Sequence, residues 1–355
     1  MAKNFTICVG TLGMGLWRSP DGGVSWARGK LWKGYQGGRS VFGLAVHPKE
    51  PSVIYAGADD GIYRSEDRGV NFEHIDSQLD GYKVWRIAID PVDPNTMFAG
   101  TAPPALFRSR DSGLHWEKLP ADFSTECVNV TTPRVTALAV DPSDHKFVWA
   151  GVEVDGVRVS QDGGDTWTRP SGGLMDEPDI HDIKPLPGKS GAALVTLPEE
   201  ICVSTDGGMN WQGLGVRSKF PLPYCRSITF KPDDMRVILA AIGDDALGGL
   251  GSIQRSSDGG QTWKTPLLPI APNTHMECFA THPANPDLIL ACSHYGQLFE
   301  LRRRRMVGQA AARIYRGPRR ACVGTELMPR YSRSKFQVQS STMCVPRRTS
   351  HARQR

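Results

Sequence analysis

Side chains that could bind a charged or sugar ligand recur at two kinds of position in this sequence. The first kind comes just before, or at the start of, an apolar run of strand length; its members are Arg39, Lys83, Arg86, Arg134, His181, Arg226 and His275. The second kind follows the next apolar run; its members are Asp59, Asp60, Glu153, Asp155, Glu199, Glu200, Asp244, Asp245 and His294. Arginine, histidine and carboxylate around one pocket are suited to binding an anionic or sugar ligand, or to acid–base chemistry.

The same residues have a plainer interpretation, in which they solvate loops and cap strands. Arg86 is harder to explain that way, because it lies within the apolar run VWRIAID and needs a partner there. We therefore expect Arg86 near a central channel, paired with a carboxylate or with backbone carbonyls. His181, His275 and His294 fall in different repeats without ligand spacing, so no metal ion and no cofactor is predicted.

The elements that must position these side chains are indicated by an octapeptide of the pattern S-x-D-x-G-x-x-aromatic. It occurs six times, with its aspartates at Asp21, Asp67, Asp111, Asp162, Asp206 and Asp258. Successive aspartates are 44 to 52 residues apart, which is the length of one four-stranded propeller blade. The aspartate can accept hydrogen bonds from its own tight turn, the glycine permits a strained backbone, and the aromatic ring can be buried.

This octapeptide resembles the Asp-box, or BNR, repeat. That repeat is found in sialidases, xyloglucan-cleaving enzymes, sortilin-type receptor domains and photosystem II assembly factors. The resemblance implies that the six aspartates are structural and lie far from the functional face. It carries over no catalytic residue, because the Arg-Ile-Pro motif of sialidases is missing from this sequence.

The runs between octapeptides are apolar throughout, as in VFGLAVHP (41–48) and VTALAVDP (135–142). Such runs are typical of strands covered on both faces by neighbouring blades. The sequence therefore predicts an all-β fold over residues 1–301, a seven-bladed β-propeller of four-stranded antiparallel blades. The first blade begins at its second strand, so its innermost strand is missing. The loops that carry the candidate residues share one face, opposite the octapeptide turns.

Charge and cysteine content bear on the class of partner and on the compartment. Residues 302–355 hold 15 Lys and Arg and one acid, which leaves residues 1–301 with a net charge of −9. An acidic body disfavours nucleic-acid binding.

The eight cysteines (8, 127, 202, 225, 278, 292, 322 and 344) form no C-x-x-C pair, which favours free thiols in a reducing compartment. No apolar run is long enough for a signal peptide or a membrane span, so we predict a soluble, cytoplasmic monomer without membrane contact.

Two functions fit these observations. The main prediction is a propeller whose central face binds a carbohydrate or other small polar ligand, or a partner protein. The alternative is a glycoside hydrolase, sialidase-like or another exo-glycosidase, which needs two facing carboxylates about 5–10 Å apart. Sequence spacing gives no such distance.

The basic segment at 302–355 interrupts the repeat. A seventh octapeptide is expected near residue 303, where the sequence reads RRRRMV. Back-translation with chosen codons and a one-base shift gives Ser-Gly-Asp-Gly-Gly-Trp, the start of an octapeptide, and continues to an inner-strand pattern and a stop. We interpret 302–355 as a frameshift product, largely disordered, that leaves closure of the propeller incomplete at the C-terminus. A genuine basic arm is the alternative.

A variant restored to the shifted frame should melt well above this chain. It would bury about five to eight further apolar side chains at about 1.5–3 kcal/mol each, a gain on the order of 10 kcal/mol. Thermal melting of both proteins, with resequencing of the coding DNA, tests this prediction. Equal melting temperatures, or ordered blade strands within 302–330, would contradict it.

Overall fold

The structure is a computed structural model that describes residues 5–31, 39–124, 132–170, 172–176 and 178–301. The predictions for the segment 302–355 lie outside the described residues. Within the described ranges the chain is all-β apart from one 3-10 turn, Val216–Ser218, as the sequence predicts. No helix in these ranges has the length and apolar character needed to cross a membrane.

The strands of the described ranges form seven antiparallel sheets, each built from strands that are consecutive in the chain. In chain order the sheets contain β1 (Ile7–Thr11), β2 (Gly15–Ser19) and β3 (Ala27–Arg28); β4 (Val41–Val46), β5 (Ile54–Ala58), β6 (Gly61–Ser65) and β7 (Glu73–Ile75); β8 (Lys83–Ile89), β9 (Met97–Ala102), β10 (Leu106–Ser109) and β11 (Glu117–Lys118); β12 (Val135–Val140), β13 (Val148–Val152) and β14 (Gly156–Ser160); β15 (Asp182–Pro185), β16 (Ala193–Thr196), β17 (Ile201–Ser204) and β18 (Gln212–Gly213); β19 (Tyr224–Lys231), β20 (Asp234–Gly243) and β21 (Gly251–Ser256); β22 (Met276–Thr281), β23 (Ile289–Ser293) and β24 (Leu298–Leu301).

Four strands per sheet, as predicted, occur in the second, third and fifth sheets, whereas the other four have three strands within the described residues. In the fourth sheet the outer strand is reduced to one bridge between Val159 and Thr168. Pro170 follows two residues later, at the next position that would donate to the ladder, and proline has no N–H. The sixth sheet repeats this arrangement with Arg255, Lys264 and Pro266.

Apolar side chains fill the space between neighbouring sheets. Between the fourth and fifth sheets, for example, Trp149 packs in a buried cluster with Ile183. The last and first sheets are joined in the same way, because Ile7 on β1 packs in one buried cluster with Leu290 and Cys292 on β23. The sheets therefore form a ring, which makes the fold a β-propeller. The number of blades in the complete chain stays a prediction.

The octapeptide turns are held by hydrogen bonds to their serine and aspartate. In the fourth turn, Asp162 accepts bonds from Thr166 N at 2.9 Å, Thr166 Oγ1 at 2.6 Å and Ser160 Oγ at 2.7 Å. Gly164 N donates to Ser160 Oγ, and φ of Gly164 is +97°, a conformation that favours glycine. Equivalent bonds form at all six turns. In the second to sixth sheets the turns follow the third strand, and in the first sheet the turn follows β2, so each turn lies one strand length away from the loop that precedes that strand.

Replacing Asp162 with Ala should lower the free energy of unfolding by about 1–3 kcal/mol, because the turn loses its hydrogen bonds. Burial raises the pKa of Asp162, but the bonds from Thr166 and Ser160 together outweigh it and lower the pKa to about 2, below the ordinary 3.8. The contribution of Asp162 is thus present above about pH 4 and is lost as the pH falls toward about 2. Urea unfolding of the unaltered chain and of Asp162→Ala, above about pH 4 and near about pH 2, measures the difference in unfolding free energy between the two proteins.

The exposed Asp176, replaced with Ala, is the matched control and should change the unfolding free energy by less than about 0.5 kcal/mol. An Asp162→Ala protein that unfolds at the same urea concentration as the unaltered chain at neutral pH would show that the turn does not depend on its carboxylate.

Candidate functional site

Five of the inner strands have a β-bulge at the same place, which is the second residue of the apolar run that forms the strand. The pairing register with the next strand skips one residue in each case. The skipped residues are Phe42, Trp85, Thr136, Arg226 and Glu277. A bulge leaves its extra residue unpaired and changes the direction of the side chain. We call the surface formed by these five residues and by their contacting neighbours Arg134, Glu153, Asp179, His181, Tyr224, His275 and His294 the central mouth.

On one side of the central mouth, Glu277 is fully buried among three basic side chains. Its Oε1 accepts a hydrogen bond from Arg226 Nε at 3.0 Å. Its Oε2 lies 2.8 Å from His275 Nε2 and 2.9 Å from His294 Nδ1. Burial opposes ionisation of Glu277, but the Arg226 charge and the two histidine bonds hold its pKa well below the ordinary value. Glu277 is therefore a carboxylate, and its charge is compensated by Arg226.

The two carboxylate oxygens of Glu153 have different environments. Arg134 Nη2 donates to Glu153 Oε1 at 2.6 Å, whereas Glu153 Oε2 is buried without a protein hydrogen-bond partner. Burial raises the pKa of Glu153 above its ordinary value, and the Arg134 charge offsets this only in part. Glu153 therefore keeps its proton to a higher pH than an exposed glutamate does.

Asp179 lies close enough to Glu153 for its charge to raise the pKa of Glu153. His181 Nδ1 donates to the carbonyl oxygen of Cys225 at 2.7 Å, and His181 Nε2 lies 3.1 Å from Asp179 Oδ2. Burial favours the protonated form of Asp179, but the bond to His181 and the charge of Arg226 lower its pKa. The two neighbouring carboxyl groups thus have pKa values shifted in opposite directions.

Buried polar atoms without a hydrogen-bond partner are concentrated here. Among the described residues eleven buried side-chain nitrogen or oxygen atoms have no partner, and five of them belong to the central mouth. They are Arg134 Nε, Glu153 Oε2, Asp179 Oδ1, His275 Nδ1 and His294 Nε2. Buried polar groups are nearly always satisfied in native proteins, so this concentration points to a site that binds a polar ligand.

Aromatic rings line the same surface. Trp85 stacks on Phe42 with ring centroids 4.2 Å apart, and the Arg134 guanidinium lies 4.4 Å from the Trp85 ring. Tyr224 lies 5.0 Å from the His181 ring, and burial raises its pKa to about 12. The central mouth therefore has aromatic rings packed beside its charged groups.

The structure brings six of the sequence-predicted residues into the central mouth: Arg134, Glu153, His181, Arg226, His275 and His294. Arg86 lies near the axis, since its charge interacts with Arg226 and Glu277 of two other sheets. Its Nη1 donates to the Trp85 carbonyl oxygen at 2.9 Å, and burial lowers its pKa to about 10. A carbonyl partner near a channel is what the sequence predicts for Arg86.

Other predicted residues serve their own loops. Arg39 is exposed and pairs with Asp60 at 3.2 Å. Asp59 accepts a hydrogen bond from Ser40 N at 2.7 Å, and burial raises its pKa. Lys83 is exposed at the start of β8. For these positions the plainer interpretation, loop solvation and capping, describes the contacts.

Asp244 also folds back on its own loop. It accepts hydrogen bonds from the backbone of Leu250 at 3.0 Å and Gly249 at 3.2 Å, and its burial is slight. His275 and His294, by contrast, belong to one blade, with ring centroids 4.5 Å apart. The expectation that the three histidines come from different blades is therefore wrong for this pair, because the bulged inner strand faces its own second-to-third loop.

Sequence reasoning missed Glu277, Asp179 and Trp85. Glu277 interrupts the apolar run MECFATHP, as Arg86 interrupts VWRIAID, so the same argument from an embedded charge would have found it. Asp179 and Trp85 carry no comparable signal, because an acid in a polar loop and an aromatic in a strand are both ordinary.

Comparison with known proteins gives relatives for part of the chain, although no family model matches it. An oligoxyloglucan-reducing end-specific xyloglucanase of Emericella nidulans is 28% identical over 195 residues, which cover 50% of this chain and 24% of the relative. A xyloglucanase of Acetivibrio thermocellus is 27% identical over 229 residues, covering 53% and 27%. The matches thus span about a quarter of the length of these relatives.

Solved structures with the same fold include an ancestral GH74 enzyme, with TM-score 0.60, 17% identity and coverage of 73% of this chain and 36% of that one. YCF48 bound to D1 peptide has TM-score 0.52, 14% identity and coverage of 74% and 78%. These likenesses support the propeller fold alone. The main functional prediction, a propeller that only binds a ligand or partner, is contradicted because the sequence relatives are xyloglucanases; the glycoside hydrolase alternative agrees with them.

Replacing Arg226 with Met should lower the free energy of unfolding by about 3–5 kcal/mol, because Glu277 keeps a buried charge without its cationic partner. The matched control is Arg217→Met, which breaks an exposed pair with Glu199 and should cost about 0–1 kcal/mol. Urea unfolding of the two variants measures both. A loss for Arg226→Met no larger than that for Arg217→Met would mean that Glu277 is not held ionised by Arg226.

Proposed function

We propose that this chain is a glycoside hydrolase that cleaves a xyloglucan-type polysaccharide at the central mouth of a seven-bladed propeller of the Asp-box kind. The observation that carries the proposal is the pair Glu153 and Asp179. Their pKa values are shifted in opposite directions, and each has one buried oxygen without a protein partner. Neighbouring carboxyl groups with diverging pKa values are the usual acid and base of glycosidic cleavage.

Glu153 is the general acid of this proposal. Arg134 occupies Oε1, so the proton of the raised-pKa carboxyl is carried by Oε2, the oxygen that faces no protein donor. In the reaction Glu153 gives this proton to the glycosidic oxygen as the bond from the anomeric carbon to that oxygen breaks. The leaving sugar departs as a neutral alcohol, and Glu153 becomes a carboxylate.

Asp179 is the second carboxyl group of the reaction. Its Oδ1 faces no protein donor, and it either activates a water molecule or attacks the anomeric carbon itself. His181 is a positioning residue: with both ring nitrogens protonated it donates Nδ1–H to the Cys225 carbonyl and Nε2–H to Asp179 Oδ2. Water supplies the hydroxyl of the new reducing end and the proton that restores Glu153.

The lining of the central mouth supports a carbohydrate substrate. Trp85 stacks on Phe42 and contacts the Arg134 guanidinium, which places buried aromatic rings directly beside the charged groups. The unpartnered donors and acceptors of Arg134, Glu153 and Asp179 match the many hydroxyl groups of a polysaccharide. The net charge of −9 over residues 1–301 favours a neutral polymer over a polyanion.

Glu153→Gln and Asp179→Asn should each lower the rate of reducing-end release from xyloglucan by about 10²–10⁴-fold. The matched control Glu117→Gln alters a carboxylate on an outer strand, paired with Arg108, and should keep full activity. Activity should fall as the pH rises through the raised pKa of Glu153, which must be protonated. It should also fall as the pH drops through the lowered pKa of Asp179, which must be ionised.

Absence of activity in the unaltered chain on xyloglucan, or equal activity in all three variants, would contradict the proposal. Melting temperatures of the variants separate a lost catalytic group from a lost fold.

A further inference from the structure

Three potential metal ligands of one blade converge beside the proposed catalytic pair. His275 immediately precedes β22, Glu277 is the bulged residue of β22, and His294 follows β23. A backbone bond from His294 N to His275 O at 3.0 Å holds the two histidines side by side. The blade itself, rather than flexible loops, therefore fixes the three side chains relative to one another.

The donor atoms of these side chains point to a single position. His275 Nε2 and His294 Nδ1 both face the same carboxylate oxygen, Glu277 Oε2, at 2.8 and 2.9 Å. All three atoms lie within 4.8 Å of one another, and all three residues are buried. Ligands held at about 2.0–2.2 Å from a tetrahedral ion are about 3.3–3.6 Å apart, so the three side chains would need to separate by about half an ångström to admit one.

The remaining atoms of the cluster are compatible with this arrangement. Arg226 binds Glu277 Oε1, which orients the carboxylate and leaves Oε2 turned toward the histidines, as hydrogen bonds to metal-bound carboxylates do. The second nitrogens, His275 Nδ1 and His294 Nε2, have no protein partner. No protein bond at those nitrogens prevents either ring from presenting a lone pair toward Glu277 Oε2.

We propose that His275 Nε2, His294 Nδ1 and Glu277 Oε2 form a binding site for a divalent transition metal ion, with zinc as the first choice. Two imidazoles and one carboxylate suit zinc, cobalt or nickel better than calcium or magnesium, which take oxygen ligands. Three protein ligands leave a fourth position for water or for a ligand oxygen. The inference does not rest on the proposed hydrolase function.

A second cluster in the described ranges provides a control. His74, Asp76 and Asp80 also bring three ligand atoms within 4.8 Å, but all three residues are exposed. Exposed acidic clusters are common without a bound ion, so a genuine site and an adventitious one can be compared within the same chain.

The experiment uses the full chain, stripped with a chelator, and zinc or cobalt chloride. We expect one zinc per chain by elemental analysis and calorimetry, and the visible absorption of four-coordinate cobalt. His294→Gln should lose the cobalt spectrum and weaken zinc binding at least about 10-fold, because losing even an outer-shell partner of a ligand costs about 10–100-fold. His74→Gln should leave both unchanged.

The fold of His294→Gln is checked by its melting temperature without metal, and His275→Gln is the second variant. Zinc should raise the melting temperature of the unaltered chain and of His74→Gln but not of the two cluster variants. Zinc that binds equally in His294→Gln, that is lost in His74→Gln instead, or that does not bind the unaltered chain would overturn the proposal.

Discussion

The side chains around the propeller axis depend on one backbone feature, a β-bulge at the second residue of five inner strands. Each bulge takes one residue out of the pairing and changes the direction of its side chain. The result is an asymmetric rim: Phe42 and Trp85 form an apolar arc, and Arg226 and Glu277 form a charged one.

Burial then determines how the charged arc is built. A carboxylate or guanidinium removed from water needs a partner with good geometry, and Glu277 has all of its oxygens occupied by Arg226 and two histidines. Glu153 and Asp179 are different, since each keeps one buried oxygen free of protein donors. The structure thus distinguishes charges that stabilise the mouth from those left for a ligand.

The parts of this arrangement that could be predicted from sequence depend on local chemistry. The six octapeptides specify their turns through Ser, Asp and Gly alone, so they identified the strands, their order and the propeller. The loss of the outer strand after Thr168 was also readable, because Pro170 stops the ladder. The pairing of His275 with His294, and of Glu153 with Asp179, could not be read, since it depends on how bulges turn side chains and on which loops meet across blades.

The charge of Arg226 acts both on Glu277 and on the neighbouring carboxyl group of Asp179. Its guanidinium lowers the pKa of Glu277 and also of Asp179, which belongs to another blade. A divalent cation at Glu277 would compete with Arg226 for that carboxylate and would leave more of the Arg226 charge to act on Asp179. The charge of the cation and the charge of Arg226 both stabilise the ionised form of Asp179. The Arg226 charge also lowers the pKa of Glu153, against the larger effect of burial, so a cation at the metal site would favour the ionised forms of both carboxyl groups.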